Sequence, residues 1–185
     1  MDKIYATTVL AVIRNGSLVM ASDGQVSTGN TILKHTARKV RMVYDNKVAL
    51  GFAGSVADAL TLAERLEKNL EEYKGQLLKS CVELTKSWRT DKYLRNLDAS
   101  IIASDGTRLL FVDGMGDVIE PDNENILAIG SGSNYARAAA EVLYKHTKLS
   151  AETIVKHSMH TAANLCLYTN DNLSIIKINR EDTKS

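Results

Sequence analysis

Residues 7–22 read Thr-Thr-Val-Leu-Ala-Val-Ile-Arg, then Asn-Gly, then Ser-Leu-Val-Met-Ala-Ser. Two runs rich in apolar and β-branched residues flank Asn15-Gly16, and both turn residues tolerate the positive φ of a type I′ turn. We therefore predict a β-hairpin whose first strand starts at Thr7. Hairpins build antiparallel sheets, so this pattern disfavours a doubly wound parallel fold.

Hairpin patterns and helical patterns alternate along the rest of the chain. The predicted elements are a second hairpin at 40–53, helices at 56–73 and 77–88, strands between 99 and 129, a helix that starts after 133, a helix from 150, and a strand at 173–178. Each helix pair can bury its apolar face on one sheet only. The expected fold class is α+β, a four-layer αββα sandwich with two antiparallel sheets between two helix pairs.

Length and composition indicate one folded domain. A chain of 185 residues can bury a core without disulfides, and 44% hydrophobic with 24% charged residues is typical of a globular protein. We expect a single domain at 7–178 and a polar C-terminal tail at 179–185. With 23 Lys and Arg against 22 Asp and Glu, the chain has no large net charge to attract nucleic acid, which we do not expect as a partner.

Cysteine use and hydropathy point to the cytoplasm. Cys81 and Cys166 lie far apart in apolar helical patterns and form no CxxC pair, which favours small buried side chains in a reducing compartment. Residues 1–6 include an acid and a base, and no later run is apolar over a bilayer's width. We expect a cytoplasmic chain without a membrane partner.

Thr7 is the candidate nucleophile, although a threonine at the start of a strand is ordinary β propensity when taken alone. A threonine hydroxyl in mid-chain is a poor nucleophile. As the first residue, it has its own α-amino group, with a pKa near ~8, beside it as a base. This chemistry requires that residues 1–6 form a propeptide that is removed on maturation.

Asp23 and Lys39 are candidate partners of Thr7. Asp23 ends the second strand of the first hairpin, so strand pairing brings it back towards Thr7, and Lys39 opens the next hairpin. A lysine near the threonine hydroxyl would favour the alkoxide and keep the terminal amine neutral, while an aspartate would hold the lysine. Taken singly, a turn aspartate and a solvated lysine are the simpler interpretations; only the three residues together favour catalysis.

The other candidate motifs are weaker. Residues 51–55 and 130–133 are glycine loops before helices, whose N–H groups can receive an anion or oxyanion, but neither contains a nucleotide P-loop. Residues 113–117 read as a hairpin turn, and His157 with His160 as a solvated helix face. The basic residues at 34–41 lack interleaved aromatics, so a polar strand with one catalytic lysine explains them more simply.

Eight segments together resemble the HslV (ClpQ) family, the peptidase subunits of bacterial two-component proteases related to the proteasome. The segments are Ala6-Thr-Thr-Val-Leu-Ala-Val, Asp23-Gly-Gln-Val-Ser-Thr-Gly-Asn, Ala37-Arg-Lys-Val-Arg, Gly51-Phe-Ala-Gly-Ser-Val-Ala-Asp-Ala, Trp88-Arg-Thr-Asp, Gly116-Asp-Val-Ile-Glu-Pro, Ala128-Ile-Gly-Ser-Gly and Tyr168-Thr-Asn-Asp-Asn. Each motif is modest, but their order and spacing are specific. The resemblance covers nearly everything from Thr7 to Ile178.

The resemblance implies an N-terminal-nucleophile hydrolase that acts as a threonine endopeptidase. On the family pattern, Thr7 attacks the peptide carbonyl while Lys39 and Asp23 tune it. Ser131 assists nearby, and the N–H of Gly54 binds the oxyanion.

The family pattern also implies binding sites and partners. Phe52 matches the primary specificity pocket. The backbone carbonyls of Ala163, Cys166 and Thr169 match a sodium site. Family members form two stacked hexameric rings, a dodecamer, and a ring-shaped AAA+ ATPase, HslU, unfolds the protein substrates and activates the peptidase. ATP would thus be bound by the partner and not by this chain.

Three departures from the family pattern bear on specificity. Ser22 stands where glycine is usual before the aspartate, Ser133 replaces the last glycine of Gly-Ser-Gly-Gly, and the C-terminal tail is longer. A side chain beside Asp23 could alter the substrate-binding loops. We therefore expect the departures to affect substrate choice more than mechanism.

Three alternatives stay open at the level of sequence. The chain could be an unprocessed, non-catalytic ring subunit, or an N-terminal-nucleophile amidase that acts on small amides. A nucleotide-binding protein that uses the glycine loops is the third, and it would bind ATP by itself.

Overall fold

The computed structural model describes residues 7–94, 99–113 and 115–179, without the side chains of residues 56 and 57. The segments expected as propeptide, 1–6, and most of the expected tail, 180–185, therefore lie outside the described residues. The strands are β1 Thr8–Arg14, β2 Ser17–Ser22, β3 Val26–Thr28, β4 Thr31–Lys34, β5 Val40–Val43, β6 Val48–Gly54, β7 Ala99–Ser104, β8 Leu109–Asp113, β9 Val118–Ile119, β10 Ile126–Gly130 and β11 Ser174–Asn179. The helices are α1 Val56–Glu72, α2 Leu77–Thr90, α3 Ser133–His146 and α4 Ala151–Leu165.

The first sheet has the strand order β10-β1-β2-β11, and every pair in it is antiparallel. Its central hairpin turns at Asn15 and Gly16, which have φ of 53° and 76°, as the Asn-Gly signal predicts. One face of β1 and β2 packs against α3 and α4, where Leu10, Val12 and Val19 join the helix side chains in one apolar cluster.

The second sheet has the order β5-β6-β7-β8-β9, again antiparallel throughout. Its outer face packs on α1 and α2, and the cluster there includes Leu50, Ile101 and the fully buried Trp88. The predicted cap of α1 is present, since the Ser55 hydroxyl accepts the N–H of Asp58 at 3.4 Å.

The inner faces of the two sheets meet in a third apolar cluster. Val9, Ala11 and Met20 come from the first sheet, and Ala49 and Ile102 from the second. Because strand side chains alternate between faces, each central strand contributes side chains both to one helix-facing cluster and to this cluster between the sheets. The layer order is helices, sheet, sheet, helices, so the predicted αββα fold is confirmed.

Two local features differ from expectation. The hairpin of β3 and β4 between Asp23 and Lys39 was not predicted, because its strands are short and β4 is exposed at all four residues. Cys166 was expected inside a helix but is the half-buried C-cap of α4, whereas Cys81 is fully buried as expected.

The last strand also extends further than the predicted boundary. Asn179 pairs with Ser17, one residue into the expected tail. Within the described residues, no helix combines the length and apolarity needed to span a bilayer.

Candidate active site

Thr7 lies immediately before β1 and is only 6% exposed. Its carbonyl accepts the N–H of Ser131 at 2.7 Å, so the loop after β10 touches the main chain of the candidate nucleophile. Gly130 makes this approach possible, since a Cβ at that position would lie 2.0 Å from the Thr7 carbonyl oxygen. The glycine loop is thus fitted to the start of β1.

Asp23 and Lys39 form a buried ion pair beside this strand end. The Lys39 ammonium donates to Asp23 Oδ1 at 2.9 Å, and the two side chains are 6% and 0% exposed. Asp23 lies opposite Thr8, as the hairpin pairing predicts, with its N–H on the Thr8 carbonyl at 3.1 Å. The sequence interpretation of these two residues as a turn carboxylate and a solvated lysine therefore does not fit the structure.

Main-chain donors fix the Asp23 carboxylate. Oδ1 accepts the N–H of Thr8 at 2.8 Å, and Oδ2 accepts those of Gln25 at 2.9 Å and Asn170 at 3.4 Å. Three backbone N–H donors to one carboxylate restrict its orientation. The carboxylate can then hold the Lys39 ammonium in one position.

Burial lowers the pKa of Lys39 below its ordinary value of 10.5, and the nearby Asp23 carboxylate raises it back in part. A second acceptor, the Gln25 carbonyl, receives the ammonium at 2.5 Å. A fixed cation with few water contacts exerts a stronger field on its neighbours than a solvated one. The site thus contains a positioned positive charge.

The Ser22 hydroxyl lies against the main chain of Lys39. Ser22 is fully buried and its Oγ accepts the Lys39 N–H at 3.3 Å. The neighbouring Lys39 carbonyl accepts the N–H of Phe52 at 2.9 Å. The side chain therefore points into the contact between the sheets.

Thr7, Lys39, Phe52 and Gly54 line one small cavity of about 60 Å³. Four candidate residues from three segments of the chain thus line a common space. Larger surface grooves lie elsewhere, including one of 570 Å³ beside Arg108, but neither Thr7 nor Lys39 lines that groove. The small cavity is the candidate active site because both the candidate nucleophile, Thr7, and the buried Lys39 line it.

Ser131 meets Thr7 through its main chain, and its side chain is exposed. Ser131 lies in the short loop between β10 and α3, directly before Gly132, the N-cap of α3. The structure thus places the main chain of Ser131 next to the start of β1.

Ala163, Cys166 and Thr169 lie at the C-terminal end of α4 and in the turn that follows it. Ala163 is in the last helical turn, Cys166 is the C-cap, and the Thr169 N–H returns to the Cys166 carbonyl at 3.2 Å. Carbonyls at a helix C-terminus lack helical partners and carry the negative end of the helix dipole. A turn of this kind suits a cation that prefers oxygen ligands.

Thr8, Gln25 and Asn170 were not predicted from the sequence as site residues. Asn170 bridges two segments, because Oδ1 accepts the Gly24 N–H at 2.9 Å and Nδ2 donates to the His35 carbonyl at 3.0 Å. Sequence periodicity carries no signal for such contacts, since they join residues more than a hundred positions apart. The Tyr168-Thr-Asn-Asp-Asn motif was the one hint at the last of them.

His157 and His160 lie on the exposed face of α4, as predicted. Across the part of the chain that the structure describes, no group of three or more His, Cys, Asp or Glu side chains could hold a metal ion.

Comparison with known proteins adds the family. A family model described as "Proteasome subunit" matches residues 4–178. The chain belongs to the proteasome subunit family. The match spans both sheets and both helix pairs, so it includes every residue of the cavity around Thr7.

Within the proteasome subunit family, the chain is similar along almost its whole length to HslV proteins. An "ATP-dependent protease subunit HslV" from Sulfurihydrogenibium sp. is 56% identical over 178 residues, which are 96% of this chain and 99% of that protein. One of the same name from Aquifex aeolicus is 54% identical over 176 residues, with 95% and 99% covered. The crystal structure of eukaryotic HslV from Trypanosoma brucei has a TM-score of 0.88 at 39% identity and covers 93% of this chain and 99% of that one.

Proposed function

We propose that this chain is the proteolytic subunit of an ATP-dependent protease and that Thr7, once residues 1–6 are removed, is its catalytic nucleophile. The observation that carries the proposal is the cavity shared by Thr7 and the buried Lys39–Asp23 pair. The HslV relatives support the protease role, since they are named as ATP-dependent protease subunits and are more than half identical to this chain.

The reaction uses two groups of one residue. Thr7 Oγ1 forms a bond to the carbonyl carbon of the substrate peptide while its proton passes to the free α-amine of Thr7. The tetrahedral intermediate then breaks its C–N bond, and the departing amine takes that proton. Water, deprotonated by the same α-amine, attacks the resulting ester; the bond between the acyl carbon and Oγ1 breaks, the amine returns the proton to Oγ1, and the new carboxyl end leaves.

The Lys39–Asp23 pair supplies the field that this chemistry needs. A cation beside the hydroxyl stabilises the developing alkoxide, and the same cation disfavours protonation of the neighbouring α-amine before the reaction. Asp23 keeps the ammonium in place through a 2.9 Å contact. Lys39 therefore acts as a charge and Asp23 as the group that positions it.

Gly54 and Phe52 are assigned to the substrate side of the cavity. The Gly54 N–H receives the oxyanion of the tetrahedral intermediate, an interaction that is typically worth about 3 kcal/mol of barrier. Phe52 forms the wall of the primary specificity pocket, together with neighbours such as Ala59 that line the same cavity. Ser131 assists from the loop that touches Thr7.

A sodium ion at the end of α4 is part of the proposal. The carbonyls of Ala163, Cys166 and Thr169 would hold it, and the donor set fits because it consists of main-chain oxygens at a helix C-terminus. A bound ion supplies positive charge that holds this turn together. No catalytic step depends on it.

The assembly and location of the protein follow the same family pattern. We propose a homo-oligomer of two stacked hexameric rings, a dodecamer in the cytoplasm, that receives unfolded proteins from an HslU-type AAA+ ATPase. ATP is then hydrolysed by the ATPase, and this chain binds none.

Degradation of an unfolded protein in the presence of the ATPase partner and ATP tests the function. Wild-type chain should degrade it, Thr7→Ala should reduce degradation to background, and Thr7→Ser, which retains a hydroxyl and the amine, should retain part of the rate. Activity against small amides without any protein degradation would favour the amidase alternative. Full degradation by Thr7→Ala would contradict the proposal.

A further inference from the structure

Thr8, the residue after the proposed nucleophile, is fully buried and contacts both the Asp23–Lys39 pair and the glycine loop at 130–133. Its main chain contacts Asp23. The Thr8 N–H donates to Asp23 Oδ1 at 2.8 Å, and its carbonyl accepts the Asp23 N–H at 3.1 Å. The carboxylate oxygen that holds the Lys39 ammonium is thus also held by Thr8.

The Thr8 hydroxyl contacts the glycine loop. Oγ1 accepts the N–H of Gly132 at 2.9 Å and pairs with the Thr169 hydroxyl at 2.7 Å. A hydroxyl offers one donor and two acceptor sites, so Oγ1 can satisfy both partners at once. These bonds connect β1 with the glycine loop before α3 and with the turn after α4, 124 and 161 residues away.

The glycine loop is shaped around this hydroxyl. A Cβ on Gly132 would lie 2.4 Å from Thr8 Oγ1 and 2.7 Å from Thr169 Oγ1. Gly132 is also the N-cap of α3, and no side chain of its own caps that helix. The Thr8 hydroxyl therefore supplies, from another strand, an acceptor that the start of α3 lacks locally.

We propose that the Thr8 hydroxyl is a positioning group that sets the Ser131 loop against Thr7. Ser131 lies directly before Gly132, and the two successive N–H groups bind the Thr7 carbonyl and Thr8 Oγ1. Loss of the hydroxyl removes the second of these two contacts and leaves the buried Gly132 N–H without this acceptor. The proposal rests on Thr7 being the nucleophile.

Thr8→Val tests the proposal because valine has nearly the same shape without the hydroxyl. With a short fluorogenic peptide, kcat should fall by about tenfold to a hundredfold while KM stays within about twofold, because loop position affects the chemical step more than substrate binding. Thr8→Ser retains the hydroxyl and should restore most of kcat. Thr85→Val is the matched control: Thr85 is also buried, its hydroxyl donates to the Val82 carbonyl within α2, and kcat should not change.

Thr169→Val provides a second arm that does not alter β1. It removes one partner of the Thr8 hydroxyl and should lower kcat less than Thr8→Val does. If circular dichroism shows that Thr8→Val does not fold, Thr169→Val provides the test instead. An unchanged kcat in Thr169→Val then overturns the proposal. Equal losses in Thr8→Val and Thr8→Ser, or none in either, also overturn it, while an inactive Thr7→Ala in the same series keeps the nucleophile assignment intact.

Discussion

Lys39 is a buried ion-pair partner in the fold and also the positive charge in the proposed mechanism. Burial lowers its pKa below the ordinary 10.5, so the folded chain releases this proton at a lower pH than the unfolded chain does. Between the folded pKa and 10.5 the unfolded state binds more protons, and the contribution of Lys39 to the free energy of unfolding rises with pH across that window. The proposed catalytic contribution of Lys39 falls as pH rises across the same window, because the neutral amine cannot stabilise the developing alkoxide.

We predict that kcat/KM declines on the alkaline side before pH 10.5, while the folded state stays intact. The measurement is a pH–rate profile with a peptide substrate, accompanied by circular dichroism at each pH. The decline follows from deprotonation of Lys39, whose pKa is lowered by burial. Activity that persists undiminished through pH 10.5 would count against a catalytic ammonium.

Lys39→Met should lower kcat by at least about a hundredfold, since the cavity that Thr7 lines loses its positive charge. It should also destabilise the fold by up to about 3–5 kcal/mol, because the buried Asp23 carboxylate loses its counter-ion but retains its N–H donors. Kinetics and thermal unfolding measure the two effects. Lys47→Met, at an exposed turn position, is the control, and equal behaviour of the two variants would contradict the assignment.

Ser22→Ala should lower kcat by about threefold to tenfold, because the Lys39 N–H loses its acceptor in a buried place. Ser158→Ala is a matched control. That serine is equally buried, and its hydroxyl has no hydrogen-bond partner within the described chain. Identical kinetics for both variants would show that the Ser22 contact does not position Lys39.

At the level of elements, the sequence is informative where local chemistry decides. Asn15-Gly16 requires a tight turn, and Ser55 and Ser150 cap their helices through Asp58 and Thr153, so these boundaries are predictable. The β3–β4 hairpin has no apolar alternation to reveal it. The contacts of Thr8 with the glycine loop are not predictable locally, since they depend on how two distant elements pack.

The reactivity of the Cys81 thiol tests the packing of the α1–α2 layer. Burial raises the pKa of Cys81 to about 12, so at pH 8 its thiol is protonated and inaccessible. We predict that iodoacetamide leaves Cys81 unmodified in the native protein and modifies it after denaturation. Peptide mass mapping measures this, with the half-buried Cys166 as internal comparison. Rapid native modification of Cys81 would contradict the packing of this layer.

The spacing between the sheets depends on Gly51. A Cβ there would lie 2.6 Å from Val9 Cγ1 and 2.9 Å from Met20 Sδ. Gly51→Ala should therefore destabilise the fold by about 1–3 kcal/mol, as measured by thermal unfolding. Val9→Ala makes room for the added methyl, so the double variant should be more stable than the sum of the single effects. Strict additivity would contradict the close approach.

At the scale of the molecule, the site exists only where the two sheets meet. Thr7 and Asp23 directly flank strands β1 and β2 of the first sheet, whereas Phe52 and Gly54 lie in β6 of the second sheet and Lys39 directly precedes β5. These residues could be predicted from the sequence, because hairpin pairing brings Asp23 close to Thr7 and because the other residues match positions of the family pattern. The shared cavity becomes apparent only in three dimensions.

The central claim is that Thr7 is both nucleophile and amine after removal of the residues before it. Intact mass measurement of the purified protein tests this most directly, with Thr7→Ala prepared in parallel. The account predicts that wild-type chains begin at Thr7 and that Thr7→Ala chains retain the preceding residues. Wild-type protein that retains residues before Thr7 and still degrades its substrates would contradict it.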